Sequence, residues 1–130
     1  MAAAVRCFSR HGNTRSIAEA IADGANVPVI SIKDEPELMN RVDVLFLGGA
    51  PYANIMDPEL RAYAERLDPA KVNRVVLFTT SNWSRRTVYM LKKILKDKGI
   101  IVDKEYFYAH MLNISGRLDA AREFGRRKVQ

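Results

Sequence analysis

The chain has 130 residues, of which 48% are hydrophobic and 28% charged, and its formal net charge is +6. This length and composition are typical of a globular protein, so we expect a single domain over residues 1–130. No apolar run approaches the roughly 18 residues that a membrane-spanning helix needs. The first residues also lack the basic-then-apolar layout of a signal peptide. We therefore expect a cytoplasmic protein without a membrane span.

The cysteine and the basic residues narrow the function further. A lone cysteine, Cys7, cannot form an internal disulfide or a zinc cluster, and its apolar surroundings indicate a small buried side chain. The positive charge favours acidic partners or an anionic ligand. Many cations fall in residues 85–98 and 117–128, which we interpret as two amphipathic helices with solvated basic faces. No nucleic-acid-binding motif accompanies them, so we expect no nucleic-acid partner.

Strand-like and helix-like segments alternate along the chain. Apolar runs with the character of β-strands occupy residues 4–8, 27–32, 42–48, 72–79 and 100–108. Helical patterns follow the first, third, fourth and fifth runs, and the remaining gap is too short for more than a turn or two. The first helix is expected to close near Gly24. The sequence Asp57, Pro58, Glu59 predicts the start of the second, and Gly99 the end of the third.

Alternating strands and helices predict a parallel sheet covered by helices on both faces. The runs 42–48 and 72–79 are almost unbroken apolar stretches, as buried central strands should be. The second run contains Pro28, which cannot donate to a strand ladder, and the fifth mixes charges with aromatics; both features favour edges. We therefore predict a doubly wound five-stranded parallel sheet of order 2-1-3-4-5. In that order a ligand crevice lies between strands one and three, at their carboxyl ends.

The first crevice loop is "FSRHGNTR", residues 8–15. A glycine there lets the backbone approach a ligand, and the first amides of the following helix point outward without partners. Hydroxyl, imidazole, amide and guanidinium donors accompany it, so we interpret the loop as a monophosphate site; an ordinary capped helix start is the alternative. Neither a dinucleotide fingerprint nor a nucleoside-triphosphate loop is present. The candidate residues are Ser9, Arg10, His11, Gly12, Asn13 and Thr14.

The second crevice loop is "GGAPYAN", residues 48–54. Its tyrosine is expected at the rim of the crevice, where it can stack on a flat ligand. Asn54 tolerates a positive φ and permits a backbone rearrangement. The alternative is a plain turn with a surface tyrosine. The candidate residues are Pro51, Tyr52, Ala53 and Asn54.

The third crevice loop is "TTSNWS", residues 79–84, which holds the chain's single tryptophan among small polar residues. We expect Trp83 and Tyr52 to enclose a planar ring system, while the polar residues bond to the ring edge. The alternative is a tryptophan packed down onto the next helix. The candidate residues are Thr79, Thr80, Ser81, Asn82 and Trp83.

With these loops in view, the chain resembles the flavodoxin family over essentially its whole length. The family's phosphate loop reads [ST]-x-T-G-N-T after the first strand, and "SRHGNT" at residues 9–14 is similar to it. The second loop looks like the family's glycine-small-proline segment with its aromatic, whereas the third matches no tight pattern. The resemblance implies a flavodoxin-like fold, FMN as cofactor and one- or two-electron redox chemistry. It also implies that residues 9–14 grip the phosphate, and that Tyr52 and Trp83 flank the isoalloxazine.

The sequence departs from the family at three points. His11 stands where the family has threonine, which would make phosphate binding depend on pH. The third loop lacks the acidic residues of the electron-carrier flavodoxins. Those carriers are strongly acidic, whereas this chain is basic, so we expect redox partners with acidic surfaces.

Three functions remain open on the sequence. The first is an electron-transfer protein that works through a bound flavin. The second is an FMN-dependent reductase or oxidase of a quinone, a porphyrinogen or another small aromatic; the short loops disfavour it, because such enzymes usually enlarge the crevice with an insertion. The third is a flavin-free interaction module. We nominate no residue as a catalytic acid, base or nucleophile, and no metal ligands.

Overall fold

The computed structural model describes residues 2–52 and 55–130. The strands are β1 Ala3–Phe8, β2 Val29–Ser31, β3 Val42–Gly49, β4 Pro51–Tyr52, β5 Ile55–Met56, β6 Val72–Ser81, β7 Ile101–Val102 and β8 Phe107–His110. The helices are α1 Asn13–Ala25, α2 Pro58–Arg66, α3 Arg86–Asp97 and α4 Leu118–Lys128, with short 3-10 turns at Pro69–Lys71 and Ser115–Arg117. Within this part of the chain, none of the helices combines the length and the apolar character needed to cross a membrane.

The main sheet is parallel, and its order confirms the prediction. Neighbouring strands follow the order β2, β1, β3, β6, and the position beyond β6 is shared by β7 and β8. Strand β1 pairs in register with β3 from Ala3 opposite Val44 to Phe8 opposite Gly49. The carboxyl ends of β1, β3 and β6 therefore meet at one edge of the sheet, as the predicted order 2-1-3-4-5 requires.

The fifth strand position differs from the prediction of one continuous strand over residues 100–108. The chain leaves the ladder at Asp103, whose carboxylate accepts a hydrogen bond from the backbone N–H of Glu105 at 2.9 Å. The same carboxylate pairs with Arg74 of β6 and with Lys128 of α4, at 3.1 Å for the lysine. The N–H of Asp103 still donates to the carbonyl of Val75 in β6 at 2.8 Å, and strand pairing with β6 resumes at Phe107.

Two helices cover each face of the sheet. On one face α2 and α3 pack against the strands, and this core contains Leu45, Leu47, Leu60, Tyr63, Leu77, Leu91 and Leu95. On the other face lie α1 and α4, and this core contains Val5, Cys7, Ile17, Ile21, Phe46, Val76, Phe78 and Phe124. The strands are apolar on both sides because both sides are covered, which explains the unbroken apolar runs in the sequence.

Burial of Cys7 predicts a loss of stability at alkaline pH. Desolvation raises the pKa of its thiol from 9.0 to about 11, and nearby Arg15 only partly opposes this. Above pH 9 the thiol of the unfolded chain ionises, whereas the thiol of the folded chain keeps its proton. The contribution of Cys7 to the free energy of unfolding is therefore full below pH 9 and is lost as the pH rises to about 11. The loss over that window is about 3 kcal/mol.

The measurement is urea denaturation of the wild type and of Cys7→Ala between pH 8 and 11. We expect the free energy of unfolding to fall less steeply with pH in the variant. If the free energy of unfolding falls equally steeply in the two proteins, the pKa of the Cys7 thiol is not raised by folding. Tyr63→Phe serves as the comparison, because burial raises the pKa of Tyr63 to about 12 and shifts its effect to higher pH.

Candidate functional site

A cavity of about 80 Å³ lies at the edge of the sheet where β1, β3 and β6 end. Residues from all three predicted crevice loops line it, together with two that the sequence did not indicate as site residues, Asp57 and Met111. The lining residues are Phe8, Ser9, Arg10, His11, Asn13, Thr14, Ala50, Pro51, Tyr52, Asp57, Thr80 and Met111. Eight of the predicted candidates therefore come together around one cavity.

The first loop presents the start of α1 to this cavity. Gly12 precedes the helix with a φ of 90°, a left-handed conformation that other residues rarely adopt. Its N–H donates to Ser9 Oγ at 3.0 Å, and its carbonyl accepts the N–H of Ser16 at 3.0 Å. Within the described residues no side chain caps α1, and its first turn contains no acid. The amides of that turn are therefore free to bind an anion, which the helix dipole also favours.

One hydrogen bond ties the first loop to the end of β6. The hydroxyls of Thr14 and Thr80 lie 2.7 Å apart, and both side chains are buried. Because side chains alternate along a strand, the neighbours of Thr80 point away from α1. Thr79 donates instead to the carbonyl of Gly49 at 2.7 Å, and Ser81 to the carbonyl of Ser84 at 2.6 Å. Of the candidates at positions 79–83, only Thr80 lines the cavity, and Asn82 is exposed.

The second loop is shorter than predicted, because its two glycines complete β3. A Cβ atom at Gly48 would lie 2.2 Å from the carbonyl oxygen of Phe78, so this glycine allows two central strands to approach each other. Pro51–Tyr52 and Ile55–Met56 then form a small antiparallel hairpin that the sequence did not indicate. Tyr52 is half exposed and lines the cavity. Ala53 and Asn54 lie outside the described residues.

An arginine connects the first loop to the second. Arg10 donates through Nε to Asp57 Oδ2 at 2.7 Å, and its guanidinium lies 4.1 Å from the ring centroid of Tyr52. The hydrogen bond to Asp57 raises the pKa of Arg10, which remains cationic. Asp57 is buried and also caps α2 by accepting the N–H of Glu59 at 2.9 Å. The sequence indicated only the capping role, although a residue following a central strand belongs at this edge of the sheet.

Trp83 does not line the cavity, although it follows Thr80, which does, by three residues. Its φ is 78°, an uncommon left-handed conformation for a bulky residue, and 73% of its surface is exposed. The backbone N–H of Trp83 donates to Tyr108 Oη at 2.8 Å, and that hydroxyl donates to the carbonyl of Ser81 at 3.0 Å. The indole also meets the ring of His110 edge to face, with centroids 4.7 Å apart. The alternative of a tryptophan packed down onto the next helix is therefore wrong.

Arg85 holds the third loop in place through contacts with Trp83 and with two tyrosines of the last strand segment. Its guanidinium lies 3.4 Å from the ring centroid of Tyr108, and Nη1 donates to the carbonyl of Trp83 at 3.1 Å. Its Nε donates to the hydroxyl of Tyr106 at 3.0 Å. The sequence reading missed these two tyrosines, although their alternation in "YFYAH" places both on one side of the last strand. They hold the third loop in an otherwise unfavourable backbone conformation.

The donor set at the start of α1 fits a terminal phosphate. It combines free helix amides with a hydroxyl, an imidazole and a carboxamide from Ser9, His11 and Asn13, which all line the cavity. Tyr52 supplies an aromatic surface beside it. A ligand with a phosphate at one end and a planar ring at the other matches this arrangement.

Comparisons with known proteins agree with this geometry. No family model and no curated protein matches the sequence. Among solved structures, the chain is similar to a flavodoxin from the domain Archaea, with a TM-score of 0.82 and 19% identity over 99% of this chain and 96% of that one. It is also similar to a flavodoxin, WrbA-like protein from Agrobacterium tumefaciens, with a TM-score of 0.74 and 20% identity over 98% and 94% of the two chains.

A third similarity covers only part of a larger protein. The chain matches the Flv1 flavodiiron core from Synechocystis with a TM-score of 0.75 and 18% identity, over 99% of this chain and 35% of that one. At such identities the similarities bear on the fold. They confirm the fold expected from the resemblance: the chain has the α/β fold of the flavodoxins.

Proposed function

We propose that the protein binds FMN at this cavity and acts as an electron-transfer protein. The observation that carries the proposal is the start of α1, which has no side-chain cap and no acid in its first turn, and which faces a cavity beside Tyr52. When bound, FMN supplies one- or two-electron redox chemistry, and the protein supplies binding and electrostatics. We propose a cytoplasmic location and protein redox partners with acidic surfaces.

The proposal gives the loops separate tasks. The residues at positions 9–14 bind the phosphate, with Thr14 held in place by Thr80. Tyr52, held by Arg10, flanks the ring on the side of the cavity, and Trp83 flanks it at the rim. We also propose that five further residues lie near the edge of the ring: residues 53 and 54, Thr79, Ser81 and Asn82. No residue of the chain is assigned a proton-transfer step.

A reductase or oxidase of a small aromatic is the second candidate. The WrbA-like and flavodiiron structures have the same fold, so the fold itself is compatible with that function. The short crevice loops favour the carrier, because a second aromatic substrate needs a place beside the ring.

The test is a titration of FMN with the purified protein, followed by flavin fluorescence at two pH values on either side of the ordinary pKa of histidine. We expect strong quenching, because stacking on an aromatic side chain quenches the flavin. Tyr52→Ala and Trp83→Ala should weaken it. Tyr89→Ala is the matched control, because Tyr89 is exposed on α3 outside the cavity. Absence of binding at both pH values would overturn the proposal and leave the flavin-free interaction module.

A further inference from the structure

The net charge of the protein is concentrated in one segment. Residues 83–98 contain six cations and one carboxylate, a net charge of +5, whereas the whole chain carries +6. The remaining residues are therefore almost balanced. The cations of residues 83–98 are Arg85, Arg86, Lys92, Lys93, Lys96 and Lys98, and the carboxylate is Asp97.

The second cationic segment, in α4, is neutralised by acids. Arg122 bonds to Asp23 at 2.8 Å and to Asp119 at 2.7 Å. The remaining pairs in α4 join Arg126 to Glu123, Arg127 to Glu105, and Lys128 to Asp103 and Glu105. Across residues 2–52 and 55–130, the one ion pair formed by α3 joins Lys93 to Asp97 at 3.9 Å. Of the two cationic helices, α3 is therefore the one whose cations are largely uncompensated within the described residues.

Helical periodicity places the α3 cations on one exposed face. Val88, Leu91 and Leu95 point into the core, so Arg86, Tyr89, Lys93 and Lys96 share the opposite side. Tyr89 is 61% exposed. Trp83 lies just before the helix, three residues after Thr80, which lines the cavity. We call these five residues, Trp83, Arg86, Tyr89, Lys93 and Lys96, the α3 face; it begins just beyond the end of β6, at the edge of the sheet that bears the cavity, and follows a helix about 18 Å long.

The position of Arg86 does not serve helix stability, whereas Lys96 lies in the last turn, where the helix dipole favours a cation. The helix dipole favours acids in the first turn, yet the first turn of α3 contains no acid and begins with Arg86. By contrast, α2 has Glu59 and α4 has Asp119 in the first turn. An arginine at the start of α3 therefore opposes the dipole while adding positive potential beside the cavity.

We propose that the α3 face is the docking surface for an acidic protein, with Trp83 as its aromatic anchor. This inference rests on the proposed electron-transfer function, since such a partner must approach the cavity and the α3 face begins at the same edge of the sheet. Aromatic residues supply most of the affinity at protein interfaces, and complementary charge steers the encounter. A protein is favoured over a nucleic acid because no nucleic-acid-binding motif accompanies these cations in the sequence.

The test measures binding of a fluorescent poly-glutamate peptide of about 20 residues, long enough to span the helix, with duplex DNA of similar charge as the competing probe. The test variant is Arg86→Glu with Lys93→Glu. Its matched control is Lys33→Glu with Lys104→Glu, two exposed lysines outside α3. Each pair of reversals lowers the net charge from +6 to +2. Peptide binding should weaken at least about tenfold in the test variant and less than about twofold in the control.

Binding is measured by anisotropy with and without FMN, so that a failure of flavin binding leaves this test intact. Trp83→Ala should also weaken peptide binding, and the loss should persist at physiological ionic strength, where screened charges contribute less. Equal weakening by both double variants would show that only net charge matters and would overturn the proposal. Tighter binding of the DNA through the same residues would overturn it in favour of a nucleic-acid surface. Circular dichroism of each variant establishes that it is folded.

Discussion

Gly125→Ala is expected to lower the free energy of unfolding by about 3 kcal/mol. A Cβ atom at this position in α4 would lie 2.1 Å from the carbonyl oxygen of Ile21 in α1. The contact is reciprocal, because a Cβ atom at Gly24 of α1 would lie 1.8 Å from the carbonyl oxygen of Arg122 in α4. Backbone atoms cannot rotate away as a side chain can, so the two helices must separate. Separation would loosen the core formed by Phe124 and its neighbours.

Urea denaturation measures this effect, with Ala120→Gly as the control. Ala120 lies on the exposed side of the same helix, where a glycine costs only about 1 kcal/mol of helix propensity. Adding a methyl group at 125 should therefore destabilise more than removing one at 120. If alanine at 125 instead stabilises by about 1 kcal/mol, as it does in an unconstrained helix, the close contact does not exist. Because α1 also bears the proposed phosphate site, the variant should weaken FMN binding as well.

The arrangement of the sheet could be predicted because it depends on hydrophobic patterns and on proline. Pro28 and the charges of the fifth run predicted which two strands lie at the edges of the sheet. The other three strands were then expected in the centre. The break after Asp103 could not be predicted, since the partners of its carboxylate, Arg74 and Lys128, are distant in sequence. The pairing of Pro51–Tyr52 with Ile55–Met56 could not be predicted for another reason, because strands of two residues have no periodicity that a sequence pattern can show.

The glycines show the same limit within the helices. The sequence places the end of α1 near Gly24, and the helix ends at Ala25, with Asn26 as its left-handed cap. Gly24 is needed instead for the close approach of α4. A glycine that permits contact between two helices cannot be told from a glycine that ends one without knowing which helices are neighbours.

The candidate site was predicted where it is contiguous in sequence. The first loop needed only the residues after β1, and five of its six candidates line the cavity. Asp57 and Met111 arrive from other parts of the chain, and nothing local to them marks a ligand site. The sequence predicts that Thr79 and Ser81 donate hydrogen bonds from a loop to the edge of the ring. Their hydroxyls instead donate to backbone carbonyls, because β6 continues to Ser81.

Asn13→Asp is expected to weaken FMN binding about 100-fold while leaving the fold as stable as before or more so. Asn13 is the first residue of α1 and lines the cavity. A carboxylate there interacts favourably with the helix dipole, by about 0.3–1 kcal/mol. The same carboxylate would face the phosphate in place of a donor, and repulsion between the two charges at short range amounts to a few kcal/mol, ~2.7 for a 100-fold loss. Binding and stability should therefore change in opposite directions.

Riboflavin and Asn13→Ala are the controls that locate this effect. Riboflavin has the ring without the phosphate, so its affinity should be the same for the wild type and Asn13→Asp. Asn13→Ala removes the carboxamide donor without adding charge, and its loss should be about tenfold, the value of a hydrogen bond to a charged group. An equal loss of FMN and riboflavin would instead indicate damage to the ring site beside Tyr52.

The pH dependence distinguishes charge repulsion from a lost contact. The second pKa of a phosphate monoester is about 6, so the phosphate carries two negative charges above that pH and one below it. Repulsion by the carboxylate of Asn13→Asp should therefore weaken below about pH 6, and the affinity ratio between wild type and variant should shrink, whereas a lost hydrogen bond would give a ratio nearly independent of pH. If Asn13→Asp binds FMN as tightly as the wild type at every pH, the phosphate does not lie at the start of α1.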